Sequence, residues 1–346
     1  MVFDLRSDTV TRPDAAMRAA MAEAAVGDDV LDGDPTTRAL EERLAVLLGQ
    51  ERALFFPSGI MANQTALAVL GPPGTEVLCE QDAHVLTWEE AAAAAHSGLQ
   101  LRGVPGERGR LTVAALDAAW RPPSRLVPRV SILELENTHL SAGGAVLPVA
   151  RFQELVGWAR ERKLAVHLDG ARLWHAHVAT GCALREWGAL ADTVMVTLSK
   201  GLGCPVGSVL AGSEALIDEA WRVRRRMGGG LRQSGMLAAA GLFALERNLP
   251  LLSEDHEKAR LLACGFARIP SLRVTEPETN VVMIDLMDEA PPTESVLDSL
   301  ARRGVRLSRF GERRVRAVTH RDFALADVER VVTLVGDVLT AEGASP

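Results

Sequence analysis

Apolar positions along the chain recur with two alternating periods. Short apolar runs at 53–56, 76–79, 130–135, 164–168, 193–197 and 207–211 read as strands. Between them, segments 61–70, 89–97 and 150–162 carry helical spacing. Upstream, Pro13 can start a helix through an alanine-rich stretch to Ala25, and 26–35 reads as a Gly/Asp-rich loop. Thr36 or Thr37 then caps a helix with Leu40, Leu44, Leu47 and Leu48 on one face, ended by Gly49. Strand–helix alternation with short apolar strands predicts an α/β architecture whose central sheet is mostly parallel and covered on both faces. After a helix at 233–248 the texture changes. A charged helix at 253–268, strands at 281–285 and 315–319 and a closing helix at 325–339 read as a separate α+β unit. The expected division is a large domain over 1–250, including an N-terminal arm, and a small C-terminal domain over 251–346.

Composition narrows the function classes. Hydrophobic residues make up 47% and charged residues 24%, which suits a soluble protein with a substantial core. A net charge of −7 supplies no global field for nucleic acid or anionic membrane. No apolar run reaches the length of a membrane span, and residues 1–11 lack the apolar centre of a signal peptide. Cys79, Cys182, Cys204 and Cys264 are scattered, with no C-x-x-C pair, so neither a disulfide framework nor a metal site is expected and the cytoplasm is the expected compartment. Arg222, Arg224, Arg225 and Arg226 invite a nucleic-acid reading; against the acidic total, a solvated or subunit-facing helix face fits better.

Three segments carry chemistry together. Lys200 follows the strand at 193–197 in Leu198-Ser199-Lys200-Gly201, where sheets of this class open their ligand crevice. By itself it also reads as a surface lysine in a glycine-rich loop. Asp169 ends the strand at 164–168; it is either a helix cap or the acid that pyridoxal phosphate needs at its pyridine nitrogen. Phe56-Pro57-Ser58-Gly59-Ile60-Met61-Ala62-Asn63 is a strand, a tight turn and a helix start, a natural phosphate cradle though a common turn. In chain order these form a joint pattern that the separate bland readings explain poorly. His84 is placed either to stack on a cofactor and move protons or as a structural histidine. Arg172 and Arg316 are candidates for a substrate carboxylate, although spacing alone does not select them from the many arginines.

As a set, Leu5-Arg-Ser-Asp-Thr-Val-Thr-Arg-Pro13, Val26-Gly-Asp-Asp-Val30, Glu136-Asn-Thr-His139, His167-Leu-Asp-Gly-Ala-Arg172, Leu198-Ser-Lys-Gly-Leu-Gly203, Gly228-Gly-Gly-Leu-Arg-Gln233 and Val318-Thr-His320 resemble the low-specificity L-threonine aldolases. The likeness runs from Leu5 to about Asp322. It implies an aspartate-aminotransferase-like fold, a pyridoxal 5′-phosphate cofactor and a small amino acid substrate. It also implies a homotetramer built of dimers with active sites at the dimer interface. By the resemblance, Lys200 carries the cofactor as a Schiff base, Asp169 holds the pyridine nitrogen and His84 stacks on the ring. Ser58, Gly59 and Ile60 bind phosphate, Ser199 lies beside the lysine, and Arg232 serves the phosphate region from a neighbouring subunit. Ser7, Arg172 and Arg316 hold the amino acid carboxylate, with Arg172 also close to the cofactor. The family usually has tyrosine where this tyrosine-free chain has Leu31, threonine at Ile60, histidine at Leu126 and asparagine at Leu140; Trp88 and the run 91–95 replace its commoner aromatic and glycine pattern. Leu31 and Leu126 are therefore assigned to the pocket for the substrate's β-substituent, which reads as more apolar than in a threonine-selective enzyme. The expected reaction is reversible cleavage of an L-β-hydroxy-α-amino acid to glycine and an aldehyde. β-Elimination, racemisation and a catalytically silent cofactor-binding protein are the alternatives.

Overall fold

The computed structural model describes residues 2–343. Seven strands form the main sheet: β1 (Arg52–Phe56), β2 (Glu76–Glu80), β3 (Gln100–Val104), β4 (Val130–Glu136), β5 (Ala165–Gly170), β6 (Thr193–Thr197) and β7 (Ser208–Gly212). Across the sheet they lie in the order β1-β7-β6-β5-β4-β2-β3. Strands β2 to β6 pair in parallel, and β7 runs antiparallel to both β6 and β1. Along β1 the side chains alternate between two cores: Phe55 joins Leu40, Leu44 and Leu48 of the helix Pro35–Leu48, whereas Leu54 and Phe56 pack with Ala62, Ala66 and Ile217 on the other face. Burial on both faces explains why these strands read as apolar runs rather than as an alternating pattern.

A second, four-stranded antiparallel sheet is made by Leu272–Thr275, Val281–Leu286, Ser308–Arg309 and Arg314–Val318. The helices Leu252–Phe266, Thr293–Arg302 and Val328–Gly343 contribute Phe266, Leu300 and Val331 to its core. Phe3 and Leu5 belong to this second core, because Phe3–Asp4 pairs in parallel with Val305–Arg306. The N-terminal segment is thus stitched to the C-terminal sheet before it crosses to the main one.

Several local expectations shift. The helix Pro35–Leu48 is capped by Asp34, whose carboxylate accepts from Thr37 N at 2.9 Å, rather than by Thr36 or Thr37; Gly49 closes it at φ +68°, as glycine permits. The alanine-rich helix begins only at Ala92, because Glu90 and Ala91 are left-handed. Strand β3 and the helix Leu173–Thr180 were not anticipated, and the helix bearing the arginine cluster runs over Glu214–Arg226. In the last of these the arginine cluster splits. Arg222, Arg225 and Arg226 are solvated, whereas Arg224 is buried, donating to Phe55 O at 2.6 Å and to Asp29 Oδ2 at 2.8 Å. No helix among the described residues is long and apolar enough to cross a membrane.

Candidate active site

Because β5 and β6 are parallel neighbours, their carboxyl ends open on the same edge of the sheet. Asp169 ends the first and Lys200 follows the second, and both line one cleft of about 290 Å³. Ser58, Gly59, Ile60, Asn63, His84 and Ser199 complete most of its wall. Burial, reinforced by the Arg172 charge, pulls the Lys200 ammonium down to about 8 from its ordinary 10.5; the carboxylates Asp8, Asp169 and Glu136 only partly oppose this. A buried amine so depressed is partly neutral near physiological pH, the form that attacks a carbonyl.

The turn after β1 supplies the opposite wall. Ser58 caps the helix Gly59–Leu70 by accepting from Met61 N at 3.2 Å, so the N–H groups of the first turn face the cleft without intrahelical partners. Gly59 keeps the approach close: a Cβ there would lie 3.2 Å from Thr197 Oγ1, a tight contact. Ile60 is partly exposed at the cleft mouth and offers its backbone, not a hydroxyl.

Beneath the cleft runs a closed hydrogen-bond network. Asn63 Nδ2 donates to Asp169 Oδ2 at 2.8 Å and to Glu89 Oε1 at 2.9 Å. His84 Nδ1 lies 2.9 Å from Glu89 Oε1, and Gln64 Nε2 donates to Glu89 Oε2 at 2.6 Å. His167 Nε2 reaches Asn63 Oδ1 at 3.1 Å while Nδ1 meets Thr193 Oγ1 at 2.9 Å; burial holds this ring down at about 4, hence neutral. Burial works against the charged form of His84 too, but the Glu89 hydrogen bond and the charges of Asp169 and Glu136 outweigh it and raise its pKa.

The N-terminal arm closes the far side. Asp8 is fully buried and takes Arg172 Nε at 2.8 Å and Nη2 at 2.6 Å. Burial disfavours its charge, yet the Arg172 charge and hydrogen bonds hold Asp8 well below the usual carboxylate range. Two of the three guanidinium nitrogens of Arg172 are engaged by Asp8. Arg316 lies half over the Phe310 ring, its guanidinium carbon 4.8 Å from the centroid, and Nη2 donates to Arg6 O at 3.1 Å. Its buried Nε has no hydrogen-bond partner, and burial together with the nearby Arg172 charge brings its pKa down to about 10. Two guanidiniums facing one internal carboxylate leave a positive site short of an anion. Ser7 caps the short helical turn Asp8–Val10, accepting from Thr9 N at 3.2 Å, and Thr11 Oγ1 donates to Lys200 O at 2.9 Å.

Not every expected residue joins this cleft. Leu31 is 76% and Leu126 93% exposed, both on the surface, and neither lines the cleft of the single chain. Their expected place in a substrate pocket has no basis within one chain, because each lies on a polar surface loop rather than at a strand end. Arg232 is exposed and pairs with Asp28 at 3.3 Å. Leu140 is buried, its N–H donating to Glu136 Oε1 at 2.8 Å. An apolar wall stands elsewhere: Trp88, four residues after His84, stacks on Phe310 with centroids 6.0 Å apart, and Phe310 carries Arg316. Sequence reasoning missed Asp8, Asn63 and Glu89. Asp8 and Asn63 lay within segments already singled out, Asp8 beside Ser7 and Asn63 in the helix start after Ser58, whereas Glu89 read as an ordinary polar helix position.

The beta-eliminating lyase family matches residues 4–289 of the chain. Low-specificity L-threonine aldolase 1 of Arabidopsis thaliana is 42% identical over 332 residues, covering 94% of this chain and 93% of its own length. The low specificity L-threonine aldolase of Escherichia coli (strain K12) is 42% identical over 289 residues, 83% of this chain and 86% of that one. The solved threonine aldolase of Leishmania major superposes with a TM-score of 0.83 at 18% identity, covering 97% of this chain and 99% of the other. The architecture is that of the fold-type I pyridoxal-phosphate enzymes.

Proposed function

The chain belongs to the low-specificity L-threonine aldolases of the beta-eliminating lyase family, and from that premise we propose that it cleaves L-threonine, L-allo-threonine or a related L-β-hydroxy-α-amino acid reversibly to glycine and an aldehyde, using pyridoxal 5′-phosphate. The observation that carries the reading is the placement of Lys200 and Asp169 on adjacent strand ends, across one cleft from a helix N-terminus. The residues present fit the cofactor: a buried amine for its aldehyde, a carboxylate for its ring nitrogen, free N–H groups at Gly59 and Ile60 for its phosphate, and the His84 ring for its face.

When bound, that group supplies an electron sink for the pair released as the Cα–Cβ bond breaks. The chain does the rest. Asp169, fixed by Asn63 and by Ala171 N at 2.9 Å, keeps a proton on the ring nitrogen. Arg316, with the third nitrogen of Arg172 and the Ser7 hydroxyl, binds the amino acid carboxylate and orients the bond to be broken. His84 is the histidine lining the cleft; with Nδ1 turned to Glu89, its Nε2 is the edge that accepts the β-hydroxyl proton, directly or through water. Incubation with L-threonine should yield glycine and acetaldehyde in equal amounts. Keto acid with ammonia would mean β-elimination instead, and loss of optical rotation alone would mean racemisation.

Cofactor uptake by the cofactor-free protein, followed by absorbance, should accelerate as pH rises, with a midpoint near 8 where Lys200 loses its proton. A midpoint above 10 would place the lysine in a solvated setting and count against the site. The Trp88–Phe310 stack supports a preference for bulky, apolar β-substituents. Trp88→Ala should lower kcat/KM for phenylserine about five- to tenfold more than for threonine, the scale of one aromatic contact; an unchanged ratio would remove Trp88 from the pocket. The assembly we propose is a homotetramer of dimers, in which Arg232 and Leu31, exposed in one chain, reach a neighbouring cleft.

A further inference from the structure

We propose that Glu89 is a positioning residue for this reaction: its carboxylate holds the His84 ring by the Nδ1 edge and, through the Asn63 amide, joins that ring to Asp169 as one unit. The inference rests on the reaction proposed above. Glu89 is buried, follows the exposed Trp88, and precedes two left-handed residues, Glu90 at φ 51° and Ala91 at φ 55°. That break delays the helix to Ala92 and leaves the Glu89 side chain facing inward, where it accepts from Asn63, Gln64 and His84. Rotating this carboxylate away would leave the Gln64 amide and the His84 Nδ1 without their partner and cost Asn63 one of its two carboxylate acceptors.

The arrangement has a directional consequence. Asn63 has one Nδ2 and spends it on both carboxylates, while its Oδ1 takes the Nε2–H of neutral His167. Its orientation is thereby dictated, and the two carboxylates it bridges are those aimed at the cofactor's nitrogen and at the imidazole. With Nδ1 fixed, proton exchange at His84 is confined to Nε2. The charged groups that face His84 are Glu89 from its own segment, Asp169 from β5 and Glu136 from β4, whose Oε2 accepts from His84 N at 2.9 Å. Burial, with the charges of Asp169, Glu136 and Glu89, pushes the Glu134 carboxyl on β4 well above the usual carboxylate range. Among the described residues no second imidazole lines the cleft: His139 lies 3.0 Å from Glu80, His167 beneath Asn63 and His175 against His256.

Glu89→Gln tests this in the full-length chain. Without cofactor, the His84 side-chain titration followed by nuclear magnetic resonance should have its midpoint above 6.5 in the original protein and below it in E89Q, since burial then acts with less opposition. With cofactor, kcat for L-threonine should fall roughly ten- to a hundredfold, with the acid limb of the pH profile displaced and KM changed less than about threefold. In an H84N background, E89Q should cost much less than it does alone, because Glu89 acts mainly through the ring. An unmoved His84 titration, or full multiplicative losses in the double variant, would overturn the assignment. If E89Q does not fold, Glu89→Asp keeps the charge and retracts the oxygens; a wild-type kcat in that variant would equally sink the idea. Should the original protein cleave no hydroxy amino acid, the proposed reaction fails, while the cofactor-free titration still decides the role of Glu89.

Discussion

Lys200→Ala is expected to lower turnover of L-threonine by about a thousandfold or more and to abolish the visible absorbance change on adding cofactor. The lysine is the cleft's buried amine, and its depressed pKa is set by its burial and by Arg172. The fold should survive the change. In the folded chain Lys200 titrates near 8 and in the unfolded chain near 10.5, so the unfolded chain binds more protons between those values. Stability from this group therefore rises with pH across that window, and at pH 7 the buried ammonium is a net cost. Cofactor-free K200A should unfold at the same temperature as the original or higher when both are scanned at pH 7. A variant that keeps substantial turnover would move the chemistry to another residue.

Asp8→Ala should produce the largest loss of stability, about 3–5 kcal/mol, measured by urea unfolding. Deleting Asp8 leaves the Arg172 guanidinium buried and unpaired beside Arg316, and strips a hydrogen bond from Asn280 Nδ2, which donates to Asp8 at 3.3 Å. The folded pKa of Asp8 is depressed, so its contribution is complete above the unfolded value near 3.9 and declines only as pH falls toward the folded one. The gap between D8A and the original should accordingly stay flat from pH 7 to about 5. A gap that widens as pH falls through that range would mean that the Asp8 carboxyl is raised, not depressed, in the folded chain. An added carboxylate ligand should recover part of the loss by neutralising the unpaired, buried cations.

The sheet was legible because its strands are buried on both faces, and short apolar runs such as Thr193–Thr197 carry that fact directly. Lys200 and Asp169 followed from it, since strand ends locate a crevice without knowledge of side-chain geometry. Strand β3 was not legible: Gln100-Leu101-Arg102-Gly103-Val104 sits at the sheet edge, with polar positions open to solvent. Glu89 and Arg224 were hidden for a different reason. Each is a charged residue among other charged or exposed ones, and only tertiary partners distinguish the buried member from its neighbours. Leu31 and Leu126 show the converse, apolar side chains whose exposure in one chain no local pattern could announce.

The N-terminal arm also dictates when the cleft can exist during synthesis. Ser308 donates to Arg6 O, Arg316 to Arg6 O and His320 to Asp4 O across separations of 302, 310 and 316 positions. The arm leaves the ribosome about three hundred residues ahead of the strands that hold it, and Asp8 cannot be delivered to Arg172 in lasting form until they follow. The main sheet can assemble earlier, but a nascent chain stalled before residue 305 would present Lys200 with an open, unsealed flank.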